Sequence, residues 1–172
     1  MRIKIFVLLC LTAIMQFTGV TPLKASHYYY KQLSLKDGVT SAVRCILTDK
    51  QGFVWIGTKA GISRYDGHEL KKYVYSPNNP HSIPNNLIHQ IAEDEMSNIW
   101  ILTDKGIARY QRQSDDFFLP TDEKGNPIIA YSTCLTKDGV LFGSKDKVYF
   151  YSYRDSSLRL LQKLNKGNNF NI

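Results

Sequence analysis

The sequence predicts an all-β chain that forms part of a β-propeller, with about three four-stranded blades and no closed ring. The main observation is an internal repeat: residues 44–65 recur at residues 89–110, with a constant offset of 45 and nine identities in 22 positions. A period of about 40–50 residues in sequence rich in strand-forming residues is typical of propeller blades. A weaker third copy follows at an offset of 41, with Tyr151 in the position of Tyr110.

Residues 1–25 are predicted to be a signal peptide. Met1–Lys4 is basic, and Ile5–Met15 is an apolar run that is too short to span a bilayer comfortably. Cleavage is expected near Ala25 or Ser26, and an uncleaved membrane anchor is the alternative. The remainder of the chain is therefore expected to be exported.

Charge and cysteine content exclude several classes of partner. The net charge of +7 falls to +4 once Arg2, Lys4 and Lys24 leave with the signal peptide, and the remaining basic residues are scattered among acids. A nucleic-acid partner therefore has little support. Cys45 and Cys134 lie in apolar strand patterns of different repeats, so two buried thiols are expected rather than a disulfide. Because metal-ligand spacing is absent, no metal or other cofactor is predicted.

The repeats divide the mature chain into blades. Residues 26–42 form a leading aromatic strand that belongs to no repeat and suits the ring-closing strand of a last blade. Blade 1 is expected at residues 43–80, blade 2 at 81–125 and a degenerate blade 3 at 126–165. Since propellers generally need four to eight blades, residues 166–172 are expected to start a truncated continuation of a longer protein.

Each blade reads as four short strands separated by turns rich in Asp and Gly. Inner strands should be apolar on both faces, because a neighbouring blade covers each face of the sheet. The strands predicted for blade 1 are Val43–Leu47, Phe53–Gly57, Ile62–Tyr65 and Glu69–Tyr75. The outer strands of blades 2 and 3 are expected near Phe117–Leu119 and at Leu158–Leu164.

The repeated residues are interpreted as structural. Trp55 and Trp100 lie mid-strand at equivalent positions, which favours packing between blades over stacking on a sugar ring. Arg64 and Arg109 are interpreted as arginines that are paired or bonded to backbone. The other repeated polar residues are the pairs Tyr65 and Tyr110, and Asp49 and Asp94. The aspartates are interpreted as turn residues, because a carboxylate repeated from blade to blade has no unique acid–base partner. No catalytic residue is predicted.

A ligand is expected on one face of the ring, where turns between second and third strands meet the connections between blades. Asn and Lys side chains there can hydrogen-bond sugar hydroxyls or carboxylates. The candidate residues are Lys59, Asn78, Asn79, His81, Asn85, Asn86 and Lys105. The alternative is that Pro and Asn simply shape the connection.

The segments Gln32–Thr40, Gly52–Thr58 and Gly61–Gly67 resemble the start of the two-component-regulator propeller, and Asn79–Asn86 is similar to the family's inter-blade segment. The resemblance implies the periplasmic sensor region of a hybrid two-component histidine kinase that is anchored in the inner membrane and dimeric at full length. It further implies an oligosaccharide ligand and control of glycan-utilisation genes. The phosphoacceptor His and the ATP site of such kinases have no counterpart in this sequence.

Three functions remain open from the sequence. The first is a sensor propeller, the second a propeller lyase or hydrolase acting on polysaccharide, and the third an interaction module without a small-molecule ligand. An enzyme would need carboxylate, Tyr or His groups unique to certain blades, but blades 1 and 2 match evenly. No serine-nucleophile elbow, P-loop, HExxH motif or dinucleotide fingerprint occurs.

Overall fold

The computed structural model describes residues 42–163; the predicted signal peptide, the leading strand and residues 164–172 lie outside this range. The described residues form three four-stranded antiparallel sheets, and in each sheet the strands follow one another in chain order. This arrangement confirms the prediction of an all-β partial propeller that is not closed. Within residues 42–163, no helix is long and apolar enough to cross a membrane.

The first sheet consists of β1 (Val43–Thr48), β2 (Val54–Thr58), β3 (Gly61–Tyr65) and β4 (Leu70–Tyr73). Its strands begin and end within a few residues of the predicted bounds. The fourth strand is shorter than expected at both ends. At its start the carboxylate of Asp66 accepts the N–H groups of His68 and Glu69, which extends the preceding turn. Beyond its end the N–H of Tyr75 donates to Oδ1 of Asn86.

The second sheet repeats this meander with β5 (Ile88–Glu93), β6 (Ile99–Thr103), β7 (Gly106–Gln111) and β8 (Asp116–Phe118). All five residues of β6 are buried, as expected for a strand covered on both faces. The turn between β5 and β6 lacks the glycine of the first repeat. Ser97 takes its place with a φ of 61°, where Gly52 has 88°.

The third sheet consists of β9 (Ser132–Leu135), β10 (Gly139–Gly143), β11 (Lys147–Ser152) and β12 (Ser157–Lys163). Val140 and Phe142 of β10 are buried. Leu160 and Leu161 of β12 are exposed, so the outer strand of this sheet is only lightly covered by the described residues.

Two apolar cores hold neighbouring sheets together. The first lies between sheets 1 and 2 and includes Trp55, Ile62, Ile101 and Tyr110; Ile83 of the connection between the sheets completes it. The second lies between sheets 2 and 3 and consists of Trp100, Leu102, Ile107, Ile128, Ala130, Val140, Phe142, Tyr149 and Tyr151. Each sheet is therefore stabilised mainly by burial against its neighbour.

The two junctions differ in how closely the sheets approach. A Cβ atom on Gly57 would lie 2.5 Å from Sγ of Cys45 and 2.7 Å from Cγ2 of Ile88, so sheets 1 and 2 meet at a position that only glycine fits. Leu102 occupies the equivalent position in sheet 2 and is fully buried in the second core. The loss of this glycine in the second repeat thus reflects a wider junction that a leucine fills.

Repeat-equivalent residues differ in burial where the neighbouring sheet differs. Ile91 is 7% exposed because it packs against sheet 1, whereas Ile46, its counterpart in β1, is 64% exposed. Both isoleucines nevertheless lie in the first strands of their sheets, and β1 contacts β5 directly.

The two cysteines among residues 42–163 are free, but only one of them is partly buried. Cys45 is half-buried, and burial raises the pKa of its thiol. Cys134 is exposed, so the expectation of a buried thiol is wrong at this position. Cys134 pairs with Leu141 across the sheet and therefore shares its face, which is opposite to the face on which Phe142 packs against Trp100.

Candidate functional site

A repeated aspartate fixes a repeated tryptophan in each of the first two sheets. The Oδ2 atom of Asp49 accepts a hydrogen bond from the indole N–H of Trp55 at 2.9 Å, and Asp94 does the same for Trp100 at 2.7 Å. All four side chains are buried. The aspartates therefore do more than turn the chain: each satisfies the one polar group of a buried indole.

Asp49 also closes its turn and keeps its charge. Its Oδ1 atom accepts the backbone N–H groups of Gln51 and Phe53, and Arg112 forms an ion pair with Oδ2 at 3.1 Å. Burial alone would raise the pKa of this carboxyl, but the hydrogen bonds from Trp55, Phe53 and Arg112 outweigh it, so the pKa lies below its ordinary value.

A tyrosine from the following sheet covers each tryptophan. The ring centroids of Trp55 and Tyr110 are 4.8 Å apart in an edge-to-face arrangement, and those of Trp100 and Tyr151 are also 4.8 Å apart. The sequence pairs Tyr65 with Tyr110 as repeats, but the structure shows that such a tyrosine packs against the preceding sheet. The contact between this tyrosine and the tryptophan therefore joins two repeats and cannot be predicted from one repeat alone.

The repeated arginines donate to these same tyrosines. Nη1 of Arg64 donates to the hydroxyl of Tyr110, and Nη1 of Arg109 donates to the hydroxyl of Tyr151 at 2.6 Å. Each guanidinium also lies against aromatic rings, which adds a cation–π contribution. Both arginines thus join one sheet to the next through side-chain partners.

Asp115 gathers the polar groups at the junction of sheets 1 and 2. It lies just before β8 with a φ of 57°, and its carboxylate accepts from Tyr73 at 2.6 Å and forms ion pairs with Arg64 and Lys71. The hydroxyl of Tyr110 also donates to it. Burial opposes ionisation, but the Lys71 ammonium and the two tyrosine hydroxyls lower the pKa of Asp115 to about 2.

The residues expected to bind a ligand lie in two places. The loop face is defined here as residues 58–61, 84–89, 103–106 and Tyr131. Lys59 and Lys105 are exposed in its two turns, and Asn86 lies beside the first turn, where its carbonyl accepts the N–H of Gly61 at 2.8 Å. Pro84 of the same connection lies beside the turn between β6 and β7, because a Cβ atom built on Gly106 would be 3.6 Å from its ring.

The other candidates lie away from this face or serve the backbone. The carbonyl of His81 accepts the N–H of Phe117, so this part of the connection covers the free edge of β8. Asn79 is exposed, and its Oδ1 atom accepts the N–H of His81. Asn78 is exposed in the same outer stretch, and Asn85 uses its Oδ1 atom to accept the N–H of Leu87.

The structure adds three polar or aromatic residues to the loop face that the sequence did not single out. Nε2 of His89 lies 2.5 Å from Oδ1 of Asp104, and the ring centroids of His89 and Tyr131 are 5.9 Å apart. Tyr131 is 55% exposed. Their sequence positions are 15 and 42 residues apart, so no local pattern could have predicted this grouping. Within residues 42–163, no cluster of three or more potential metal ligands is found.

Part of the chain is similar to known two-component proteins. Residues 37–60 match the model of the two component regulator propeller. Histidine kinase P4 of Formosa agariphila is 37% identical to this chain over 59 residues, which is 34% of this chain and 4% of that protein. Residues 37–60, which match the family model, include β1, β2 and the turn between them.

Solved structures from B. thetaiotaomicron share the fold. The extracellular domain assigned to the hybrid two component system BT4673 has a TM-score of 0.55 and 24% identity, and covers 76% of this chain and 16% of its own. The corresponding domain of BT3049 has a TM-score of 0.55 and 18% identity, with coverages of 83% and 21%. This chain thus spans only a small part of its relatives. The predicted resemblance is confirmed: residues 37–60 match the two component regulator propeller, and the sheets formed by residues 42–163 share the fold of extracellular domains from hybrid two component systems.

Proposed function

We propose that this chain is part of the exported sensor of a hybrid two-component histidine kinase. The observation that carries the proposal is the match of residues 37–60 to the two component regulator propeller, in blades folded like extracellular domains of such systems. In this proposal the rest of the sensor supplies further blades, a membrane span and the kinase core. The sensor acts from the periplasmic side, anchored in the inner membrane, and works as a homodimer.

The proposed ligand is an oligosaccharide, and the loop face is the proposed place where it binds. That face combines the exposed ammonium groups of Lys59 and Lys105, the hydrogen-bonded pair His89–Asp104 and the exposed ring of Tyr131. Sugars are bound by such a mixture, because hydroxyl groups need directional donors and acceptors while CH faces pack on aromatic rings. Lys59, Asp104 and Lys105 lie in turns that rigid strands position, and His89 lies in the strand β5.

The junctions between blades explain how such a ligand would act at a distance. Asp115 ties Arg64 and Lys71 of one blade to its own, and apolar cores fill the space on both sides of sheet 2. Blades joined in this way move together, so ligand binding is expected to change the position of the propeller as a rigid body. That movement is the proposed signal to the kinase, which in turn controls the transcription of genes for glycan use.

The experiment is a calorimetric titration of the complete ectodomain, meaning the whole extracellular part of the protein that carries this chain, against a panel of oligosaccharides. We expect one glycan class to bind, and the substitutions Lys105→Ala and His89→Ala each to weaken its binding. Lys137→Ala is the matched control, because Lys137 is exposed in the turn between β9 and β10, at the opposite end of the sheets. Absence of heat with the whole panel would contradict the proposal and favour an interaction module.

A further inference from the structure

The two junctions between blades repeat one arrangement, but among residues 42–163 a carboxylate pairs with the repeated arginine only at the first. At the junction of sheets 1 and 2, Arg64 pairs with Asp115 at 3.3 Å. At the junction of sheets 2 and 3, Arg109 donates to the hydroxyl of Tyr151 at 2.6 Å. None of the ion pairs formed by residues 42–163 involves Arg109. This guanidinium is half-buried, and a partly buried charge without a counter-charge is unfavourable.

A serine occupies the position of the missing carboxylate. Asp115 immediately precedes the outer strand β8, and Ser156 immediately precedes the outer strand β12. The two residues have nearly the same backbone conformation, with φ angles of 57° and 52°. They are also 41 residues apart, which is the offset between the second and third repeats. The side chain at this position is therefore shortened from a carboxylate to a hydroxyl.

The shorter side chain leaves a cleft. The cleft has a volume of about 220 Å³ and is lined by Met96, Asn98, Arg109, Tyr151, Tyr153 and Ser156. It adjoins a wider groove of about 500 Å³, which shares three of these residues. Among residues 42–163, the buried hydroxyl of Tyr153 makes no hydrogen bond of normal geometry, although it lies near Asp94 and Glu95. Burial and the nearby charge of Asp94 raise the pKa of Tyr153 to about 12, so this hydroxyl stays protonated and can donate.

An aromatic ring replaces the second cation of the first junction. Across the sheet, Arg64 pairs with Lys71, whereas Arg109 pairs with Phe118. Cζ of Arg109 lies 5.2 Å from the centroid of the Phe118 ring, and Phe118 is 42% exposed. The second junction thus presents one guanidinium beside an accessible apolar surface. At the first junction, instead, two cations share the carboxylate of Asp115.

We infer that the cleft between blades 2 and 3 binds the carboxylate group of a small organic acid, which Arg109 holds in the place that Asp115 fills at the preceding junction. A guanidinium binds a carboxylate through two parallel N–H···O contacts, and the hydroxyls of Tyr151 and Ser156 can donate to the same oxygens. Phe118 can pack against the carbon skeleton. The site lies at the opposite end of the sheets from the loop face, so it is separate from the proposed oligosaccharide site.

The test uses calorimetry on the complete ectodomain with sodium D-galacturonate, with D-galactose as the uncharged match and sodium acetate as the simplest carboxylate. We expect galacturonate to bind and galactose to give no signal at this site. Ser156→Asp should lower the affinity for galacturonate about tenfold or more, because the new carboxylate would form an ion pair with Arg109 and compete with the ligand. Ser157→Asp is the control, because Ser157 corresponds to Asp116, which bonds Gln111 and Ser114 instead of the arginine.

The outcomes show whether the cleft binds a carboxylate at all and, if it does, which kind of molecule carries it. Binding of galacturonate alone would identify a sugar acid as the ligand, and equal binding of acetate would identify a simple carboxylate. The inference is overturned if neither carboxylate binds, or if Ser156→Asp binds galacturonate as tightly as the wild type while its melting temperature shows it to be folded. If neither carboxylate binds while a neutral glycan binds the wild type and Ser156→Asp equally well, this inference falls and the proposed function stands.

Discussion

Removal of the Asp115 charge tests the physical account of the junction between blades 1 and 2. The substitution is Asp115→Asn, because Asn keeps the shape of the side chain and tolerates the positive φ of 57° at this position. It removes the negative charge that Arg64 and Lys71 share, while Tyr73 can still donate to the remaining carbonyl oxygen. The loss of stability should therefore report mainly on the two ion pairs.

The magnitude follows from the lowered pKa. A fall from the ordinary value of 3.8 to about 2 corresponds to roughly 2 kcal/mol of stability at neutral pH. Lys71 is 52% exposed and Asp115 30%, so solvent screening reduces this figure, and we expect a loss of about 1–2 kcal/mol. Because the pKa of the folded state is the lower one, the stabilisation is complete above pH 3.8 and disappears as the pH falls towards 2.

The assay is urea denaturation of the complete ectodomain at pH 7 and at pH values from 5 down to 2, for the wild type, Asp115→Asn and the control Asp116→Asn. Asp116 lies beside Asp115 but bonds Gln111 and Ser114 near the surface. We expect a clear loss for Asp115→Asn at pH 7, a small one for Asp116→Asn, and convergence of wild type and Asp115→Asn at low pH. Equal losses for the two variants, or a difference that persists at pH 2, would refute the reasoning.

Three further predictions concern packing, backbone conformation and thiol chemistry. Trp55→Ala should cost about 3–5 kcal/mol in urea denaturation, because the fully buried indole would leave a cavity; an unchanged melting curve would contradict its place in the core. Gly61→Ala should destabilise more than Gly67→Ala, since both have positive φ but only at Gly61 would a Cβ meet backbone, the carbonyl oxygen of Tyr73 at 2.5 Å. Iodoacetamide should label Cys134 in the native protein much faster than Cys45, which is half-buried with a raised pKa, and mass spectrometry of the labelled peptides would expose the reverse order.

Much of the fold is predictable because the repeat is local and periodic. The identities at an offset of 45 predict strands of equal length in equal order, and the structure confirms three four-stranded sheets in chain order. The pairing of Thr58 with Thr103 has a local reason as well: each hydroxyl donates to the carbonyl of a following glycine, Gly61 or Gly106, at 2.8 Å. Contacts of this kind span three residues, so each repeat contains all that it needs to form them.

The candidate site was less accessible to sequence reasoning. Lys59, Lys105 and Asn86 lie on the loop face. His81 instead lies along the edge of β8, because the connection between blades 1 and 2 follows that edge before it reaches the loop face. The pair formed by His89 and Asp104 was missed. Ile88 pairs with Thr103 across the sheet, so the start of β5 lies beside the turn that follows β6 and brings His89 close to Asp104. The identities at an offset of 45 residues carry no information about that approach.

The sequence by itself determined the repeating unit, the number of sheets in the described chain and the residues that each sheet has in common, because these depend on alternation, turns and periodicity along the chain. Only the tertiary structure decided which residues meet between sheets. Arg64 reaches Tyr110 and Asp115, which are 46 and 51 residues away, because the next blade packs against its own. For the same reason, only the structure shows that Arg109 faces a serine where Arg64 faces an aspartate: the contrast lies between two junctions and not within either repeat.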